Sequence, residues 1–285
     1  MQVRRETLAT SLLHFLLFRT EVIYAGYTPL NLAVVTGNIN TVRRLLRVPG
    51  IDLDKASNWT SNPLFNAVVG GNLEMVEALV EAGADINFKG GNGDLTGLTP
   101  LITAAATGEE DIARYLIRRG ANLNEQDDAG NSAAGAAVQT NNIRILKLLG
   151  DAGANLRQLQ GSSKAPLIRD AARSVEAGAE MVQYLIRKGA DVNQEDGDGN
   201  APLFHAALFG NTRVADLLLR AGADIDHLNN ENKITALYAA IAQKESETAQ
   251  FLVKKGANVN LKTADDFGPA YSATVVRSLL SMCLF

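Results

Sequence analysis

From residue 27 onward the apolar positions fall into two alternating kinds of short run. One kind is compact and rich in alanine: "YTPLNLA" at 27, "TSNPLFNA" at 60, "LTPLITAA" at 98, "KAPLIRDAA" at 164 and "NAPLFHAA" at 200. The other carries leucine or valine at helical spacing, as in Val76, Leu79 and Val80, or as the pair Leu217 and Leu218. Together they predict a recurring pair of helices. The first is short and packed closely by its neighbours, and the second is amphipathic with a single apolar stripe. A Thr-Pro step opens the first helix, because proline in the first turn loses no intrahelical N–H bond and threonine caps it. Gly-Asn at 37–38, 71–72 and 210–211 turns the chain into the second helix. That helix ends on basic residues followed by glycine, as in Arg118, Arg119 and Gly120 or Lys254, Lys255 and Gly256. Cations suit the negative end of the helix dipole, and glycine takes the left-handed cap.

The pairs recur. "GADVN" at 189 has relatives at 83, 120, 153, 222 and 256, and a worn copy, "GIDLD", begins at 50. The proline of the first helix stands at 29, 63, 100, 166 and 202, Ala133 and Ala236 replace it in two units, and Pro269 opens a partial one. The spacing stays near 33 residues, and such a period marks a stacked array. Extra residues lie in connections: four in "NFKGGNGDLTGL", three in "RSVEAGAE" and one in "DHLNNENKIT". Insertions confined there leave the helical packing faces in register. The fourth unit has "SAA" in place of "TPL", so its first helix is expected to pack more loosely.

The pattern G-x-TPL-x-x-A, then G-N, then LL-x-x-GA[DN]-[IVL]-N resembles the ankyrin repeat, over residues 26 to about 265. The histidine common after "TPL" in that family is absent; Asn31, Phe65, Ile102, Gly135, Ile168, Phe204 and Tyr238 stand there. The resemblance implies an all-α ankyrin-repeat solenoid of helix-turn-helix units with projecting hairpin-like fingers. Units are expected to start near 26, 60, 97, 130, 163, 199 and 233, with a cap helix at 1–25 and a partial capping unit at 266–285.

Composition narrows the function. The formal charge is −4 with no long basic run, which argues against nucleic acid as the principal partner. The only cysteine is Cys283, so there is no intrachain disulfide; this fits a reducing compartment, the cytoplasm or nucleus. At the N-terminus, Arg4 and Arg5 precede the apolar patch "SLLHFLLF". It is too short for a bilayer span, which needs roughly 20 apolar residues. An amphipathic cap is expected there, with a targeting or membrane-associated segment as the alternative.

Candidate chemistry is thin. Asp196, Asp198 and Asn200 alternate like calcium ligands, but the sixth and twelfth positions of that loop are Ala201 and Ala207, where an EF-hand needs glycine and a bidentate glutamate. "GGNGDLTG" at 90–97 has Thr96 where a dinucleotide fingerprint needs its third glycine. His205 falls in the first helix of the sixth unit and is expected to be a packing or surface residue. The histidines at 14, 205 and 227 are scattered, so no catalytic set, metal site or cofactor is expected.

Surface remains. In the ankyrin family, finger residues and the ends of the first helices usually meet partners. Carried over by resemblance, the finger positions are Tyr24, Tyr27, Trp59, Leu95, Leu98, Asp128, Asn131, Lys164, Asp198, Asn200, Ile234 and Phe267. The first-helix positions are Thr36, Thr107, Gln139, Arg173, Phe209 and Gln243. Trp59, the only tryptophan, is a candidate anchor, since exposed aromatics are favoured at interfaces. Two acidic groups, Glu125, Asp127 and Asp128, then Glu195, Asp196 and Asp198, would steer a basic partner segment. The expected function is non-enzymatic binding of a protein by a monomeric scaffold, adaptor or regulator, unless the apolar ends associate. The alternatives are an enzyme-linked protein holding a small ligand in its groove, and an array held at a membrane by its N-terminus.

Overall fold

The computed structural model describes residues 26–57, 61–91, 96–175 and 177–261. The expected cap helix at 1–25 and the terminal unit at 266–285 lie outside the described residues. Fourteen helices and three isolated β-bridges make up the regular structure described. None of these helices is long and apolar enough to cross a membrane. By its internal contacts the chain divides into two compact units between Asn155 and Leu156.

The first unit holds four helix pairs: α1 (Pro29–Val35) with α2 (Ile39–Leu45), α3 (Pro63–Val69) with α4 (Leu73–Glu81), α5 (Pro100–Thr107) with α6 (Glu110–Arg118), and α7 (Ala133–Gln139) with α8 (Ile143–Asp151). The second unit holds three: α9 (Leu167–Arg173) with α10 (Gly178–Arg187), α11 (Pro202–Leu208) with α12 (Thr212–Arg220), and α13 (Ala236–Ala242) with α14 (Ser246–Lys254). Within each unit, first helices pack on first helices and second on second.

The caps are those the local sequence dictates. Thr28 and Thr99 Oγ1 accept the N–H groups of Asn31 and Ile102, and Asn38, Asn72, Asn142 and Asn211 cap the second helices in the same way. The glycines closing α6, α10 and α14 are left-handed, with φ of 86°, 82° and 96° at Gly120, Gly189 and Gly256. The unit containing α9 departs from the pattern: Pro166 is the N-cap itself, and no side chain caps the helix.

Most first helices are two turns long, far below the 12–15 residues at which an isolated helix becomes marginal in water, so packing must hold them. Every residue of α3 is buried. Second helices bury a repeated triplet: Met75, Val76 and Leu79; Ile112, Ala113 and Leu116; Ile145, Leu146 and Leu149; Met181, Val182 and Leu185; Val214, Ala215 and Leu218. The i, i+1, i+4 spacing places all three side chains on one face. The expectation of a loose fourth unit is corrected. Ala133 to Val138 are all buried, because alanine and glycine let α7 approach its neighbours closely.

A polar rung joins successive repeats. Asp54, Asn87 and Asn124 each accept the backbone N–H that begins the next finger, from Asp85, Asn122 and Asn155 at 3.0, 2.8 and 2.7 Å. In the second unit Asn193 and Asp226 do the same for Asp224 and Asn258, both at 2.8 Å. The last residue of "GADVN" is therefore an acceptor for its neighbour. Arg157, which has no side-chain acceptor oxygen, occupies the same motif position one repeat before Asp191.

Candidate partner-binding surface

Fingers are built from tight backbone pairs, Gly90 with Leu98, Gln126 with Ser132 and Gln160 with Ala165. They stack in register within each unit. Gly97, at φ 73°, lies so close to Asp128 that a Cβ there would collide with its backbone and carboxylate. Gly199, at φ 77°, lies similarly close to the Asn230 side chain.

In the first unit Tyr27 is half-buried and Asp128 is exposed. Asn131 folds back on Asp127, whose Oδ1 accepts its backbone N–H at 2.7 Å. Leu98 is a correction. It is 0% exposed, and its backbone pairs with Gly90 while its side chain fills the core, so it offers nothing to a partner. Tyr24, Trp59, Leu95 and Phe267 lie outside the described residues. Thr36 and Gln139 are exposed and Thr107 half-buried.

In the second unit Asp198, Lys164 and Gln243 are exposed and Ile234 is half-buried. Asn200 is a second correction. It is 8% exposed, and its Oδ1 accepts from Asn229 Nδ2 at 3.0 Å, holding one finger to the next. His227 and Asn230 extend that junction, donating toward Gly199 O at 3.0 Å and Glu195 Oε2 at 3.1 Å. Phe209 is 39% exposed with the Arg173 guanidinium 5.1 Å above its ring.

The acidic groups are only partly surface. Asp127 and Asp196 are each 8% exposed and anchor their turns from within. Glu125 is paired with Lys89 at 2.8 Å. Asp198 and Asp128 remain as exposed carboxylates.

A buried ionic cluster lies beneath the second unit's middle finger. Asp196 Oδ1 accepts the N–H groups of Asp198 and Asn200 at 3.1 and 2.9 Å. Its Oδ2 meets His205 Nε2 at 2.9 Å and lies 3.5 Å from Arg169 Nε, a charge contact without hydrogen-bond geometry. Arg169 also bonds Ser163 Oγ at 2.9 Å and Asp170 at 3.0 Å. Burial pushes the Asp196 carboxyl up, but hydrogen bonds from His205 and the Asn200 N–H, with the Arg169 charge, outweigh it and hold the group down to about 2. An ionised Asp196 only accepts, so His205 Nε2–H donates. Burial holds the His205 pKa below its usual value against the raising effect of Asp196, with Arg169 and Arg173 adding to the depression. Its Nδ1 is buried with no hydrogen-bond partner among the described residues. The cluster ties the first helices of two successive repeats to the finger between them.

His205 is thus a packing residue, one of the two alternatives expected for it, but sequence reasoning missed its ionic link to Asp196 and missed Arg169 altogether. The available signal was an arginine and a histidine, each three positions after the proline of a first helix, in "PLIRDAA" and "PLFHAA". Those positions match one another in successive units.

The ankyrin repeats family model matches three times, over residues 5–90, 89–159 and 169–263. The chain is an ankyrin repeat protein. An ankyrin repeat and KH domain-containing protein of Caenorhabditis briggsae is 30% identical over 245 residues, 86% of this chain but 9% of that protein's length. The B-cell lymphoma 3 protein homolog of Mus musculus is 29% identical over 236 residues, 70% of this chain and 51% of its own. The chain therefore spans only part of the relatives it matches. Among solved structures, the ankyrin repeat domain of Bcl-3, described as a unique member of the IkappaB protein family, superimposes with a TM-score of 0.69 at 28% identity. That match covers 81% of this chain and all of the other. The all-α repeat class expected from sequence holds, and this ankyrin fold is a protein-interaction module.

Proposed function

We propose that the chain binds another protein, without catalysis, through its fingers and the ends of its first helices, as an adaptor, scaffold or regulator in the cytoplasm or nucleus. The supporting observation is a division of labour within each compact unit. Stacking consumes the second-helix triplets and the finger rungs, while the side chains of Asp128, Asp198 and Phe209 stay exposed and belong to neither set. Such residues are free to set specificity at no cost to the fold. Similarity to ankyrin proteins such as Bcl-3 supports the same reading. The test is affinity purification with mass spectrometry, comparing the native chain with a variant in which Asp128 and Asp198 become lysine and Phe209 becomes serine. Selective loss of captured proteins by a folded variant is expected; equal capture by both chains would reject the surface.

A further inference from the structure

The second unit presents one feature that stacking does not use. Arg169 and Arg173 on α9 are one turn apart on a single helix face, and His205 and Phe209 repeat that spacing on and just past α11. The lower pair, Arg169 and His205, is buried on Asp196 beneath the finger. The upper pair is stacked, guanidinium over ring, at the surface. The corresponding positions of the first unit hold Leu32 and Thr36, Asn66 and Gly70, Thr103 and Thr107, and Ala136 and Thr140. Only the first two repeats of the second unit carry charged or aromatic side chains at both positions; its third has Ala239 and Gln243.

Val175, 67% exposed, lies within the three-residue insertion that follows α9. The chain is anchored at Ser174, where it leaves α9. Ser174 O accepts from Asn211 Nδ2 at 2.7 Å, tying it to the turn directly after Phe209. Val175 and Phe209 therefore form an apolar ledge walled by Arg173, which also lies within 4.0 Å of Asp170. At the other end of the same helix face, beyond the Asp196–His205 pair, the finger exposes Glu195 and Asp198. Glu195 is engaged by Asn230 and His227, which leaves Asp198 as the less committed carboxylate. One helical turn plus the finger step separates ledge from carboxylate by on the order of 10–15 Å. That is three or four residues of extended chain at about 3.3 Å each.

We infer that this face takes an extended segment of a partner protein that seats one apolar side chain on Phe209 and Val175 and places a single lysine or arginine, three or four residues along, against Asp198. A run of basic residues is disfavoured, because Lys164 and Lys233 are exposed on the flanking fingers. This deepens the interaction reading above and rests on it, while specifying one subsite that can fail alone.

The test is selection of a random 12-residue display library on the full chain, followed by fluorescence-anisotropy binding of the enriched peptides. Enriched sequences are expected to share an apolar residue and one basic residue at that spacing. Phe209→Ser and Asp198→Asn should each weaken binding about tenfold, the size expected when an interface anchor is truncated, while Asp111→Asn, exposed on α6 of the other unit, changes nothing. Asp198→Asn alters only an exposed side chain, so its effect is readable even if Phe209→Ser misfolds. The inference is overturned by enrichment of acidic or polybasic peptides, by no enrichment, or by binding indifferent to both variants. Concentration-dependent self-association abolished by Phe209→Ser would overturn it in favour of a second copy of the chain. If proteins are captured normally by both single variants, the subsite fails and the broader binding role stands.

Discussion

Replacing Asp196 by alanine removes, from a site only 8% exposed, the acceptor of two backbone N–H groups, the partner of His205 and the counter-charge of Arg169. The carboxyl is held at about 2 against an ordinary 3.8. At 1.36 kcal/mol per pKa unit, the folded state stabilises the ionised form by roughly 2–3 kcal/mol. Arg169 keeps Asp170 and Ser163 as partners, so the full 3–5 kcal/mol cost of an abandoned buried charge does not apply. The expected loss is about 3 kcal/mol at pH 7, read from urea unfolding followed by far-ultraviolet circular dichroism. Asp196→Asn, which retains an acceptor oxygen for the turn, should cost less, about 2 kcal/mol. The sign with pH is definite. A carboxyl whose folded pKa is depressed contributes fully above its unfolded value near 4, and that contribution is lost as pH falls through 4 toward 2. The gap between wild type and either variant should therefore narrow from pH 4 to pH 3. A loss under about 0.5 kcal/mol, the range of ordinary surface substitutions, or a gap that ignores pH in that window, would refute the assigned role of the carboxylate.

Three further outcomes are expected. Leu185→Ala, at a fully buried triplet position of α10, should cost about 2–5 kcal/mol; unchanged thermal stability would contradict the repeat register. His205 is held below its ordinary 6.5 by burial, so the unfolded chain takes up its proton first. Stability should then fall as pH drops through 6.5 toward the lowered value, and a His205→Gln series measured from pH 7.5 to 5 should lack that slope. Arg157→Asn should restore the missing rung to Asp191 and raise stability by about 0.5–1.5 kcal/mol. A drop instead would mean that the Arg157 guanidinium, which lies against Gly189, contributes more than the rung.

Much of the fold was legible because each unit cannot bury its apolar face alone and so repeats its signals. Thr28, Asn72 and Gly120 cap helices for local reasons, visible within a few residues of chain. The surface was less legible. Leu98 and Asn200 occupy finger positions equivalent to the exposed Lys164 and the half-buried Tyr27, Asn131 and Ile234, yet one fills the core and the other bonds Asn229 from the next finger. Family position assigns the place of a residue in the finger; the identity of the neighbouring side chain decides whether it faces water.

By itself, then, the sequence determined the repeat, its period, its helix boundaries and its all-α class, since these follow from side-chain spacing and capping over short distances. Tertiary structure alone decided that His205 lies on Asp196 nine residues earlier, that Arg169 joins them from the preceding repeat, and that Arg173 reaches across to Phe209. Stacking brings together residues about a period apart, and Coulomb and hydrogen-bond energies depend on the resulting few ångströms. That is why two acids which read alike in the chain have different roles: Asp196 stabilises the repeat from inside, and Asp198 stands at its surface.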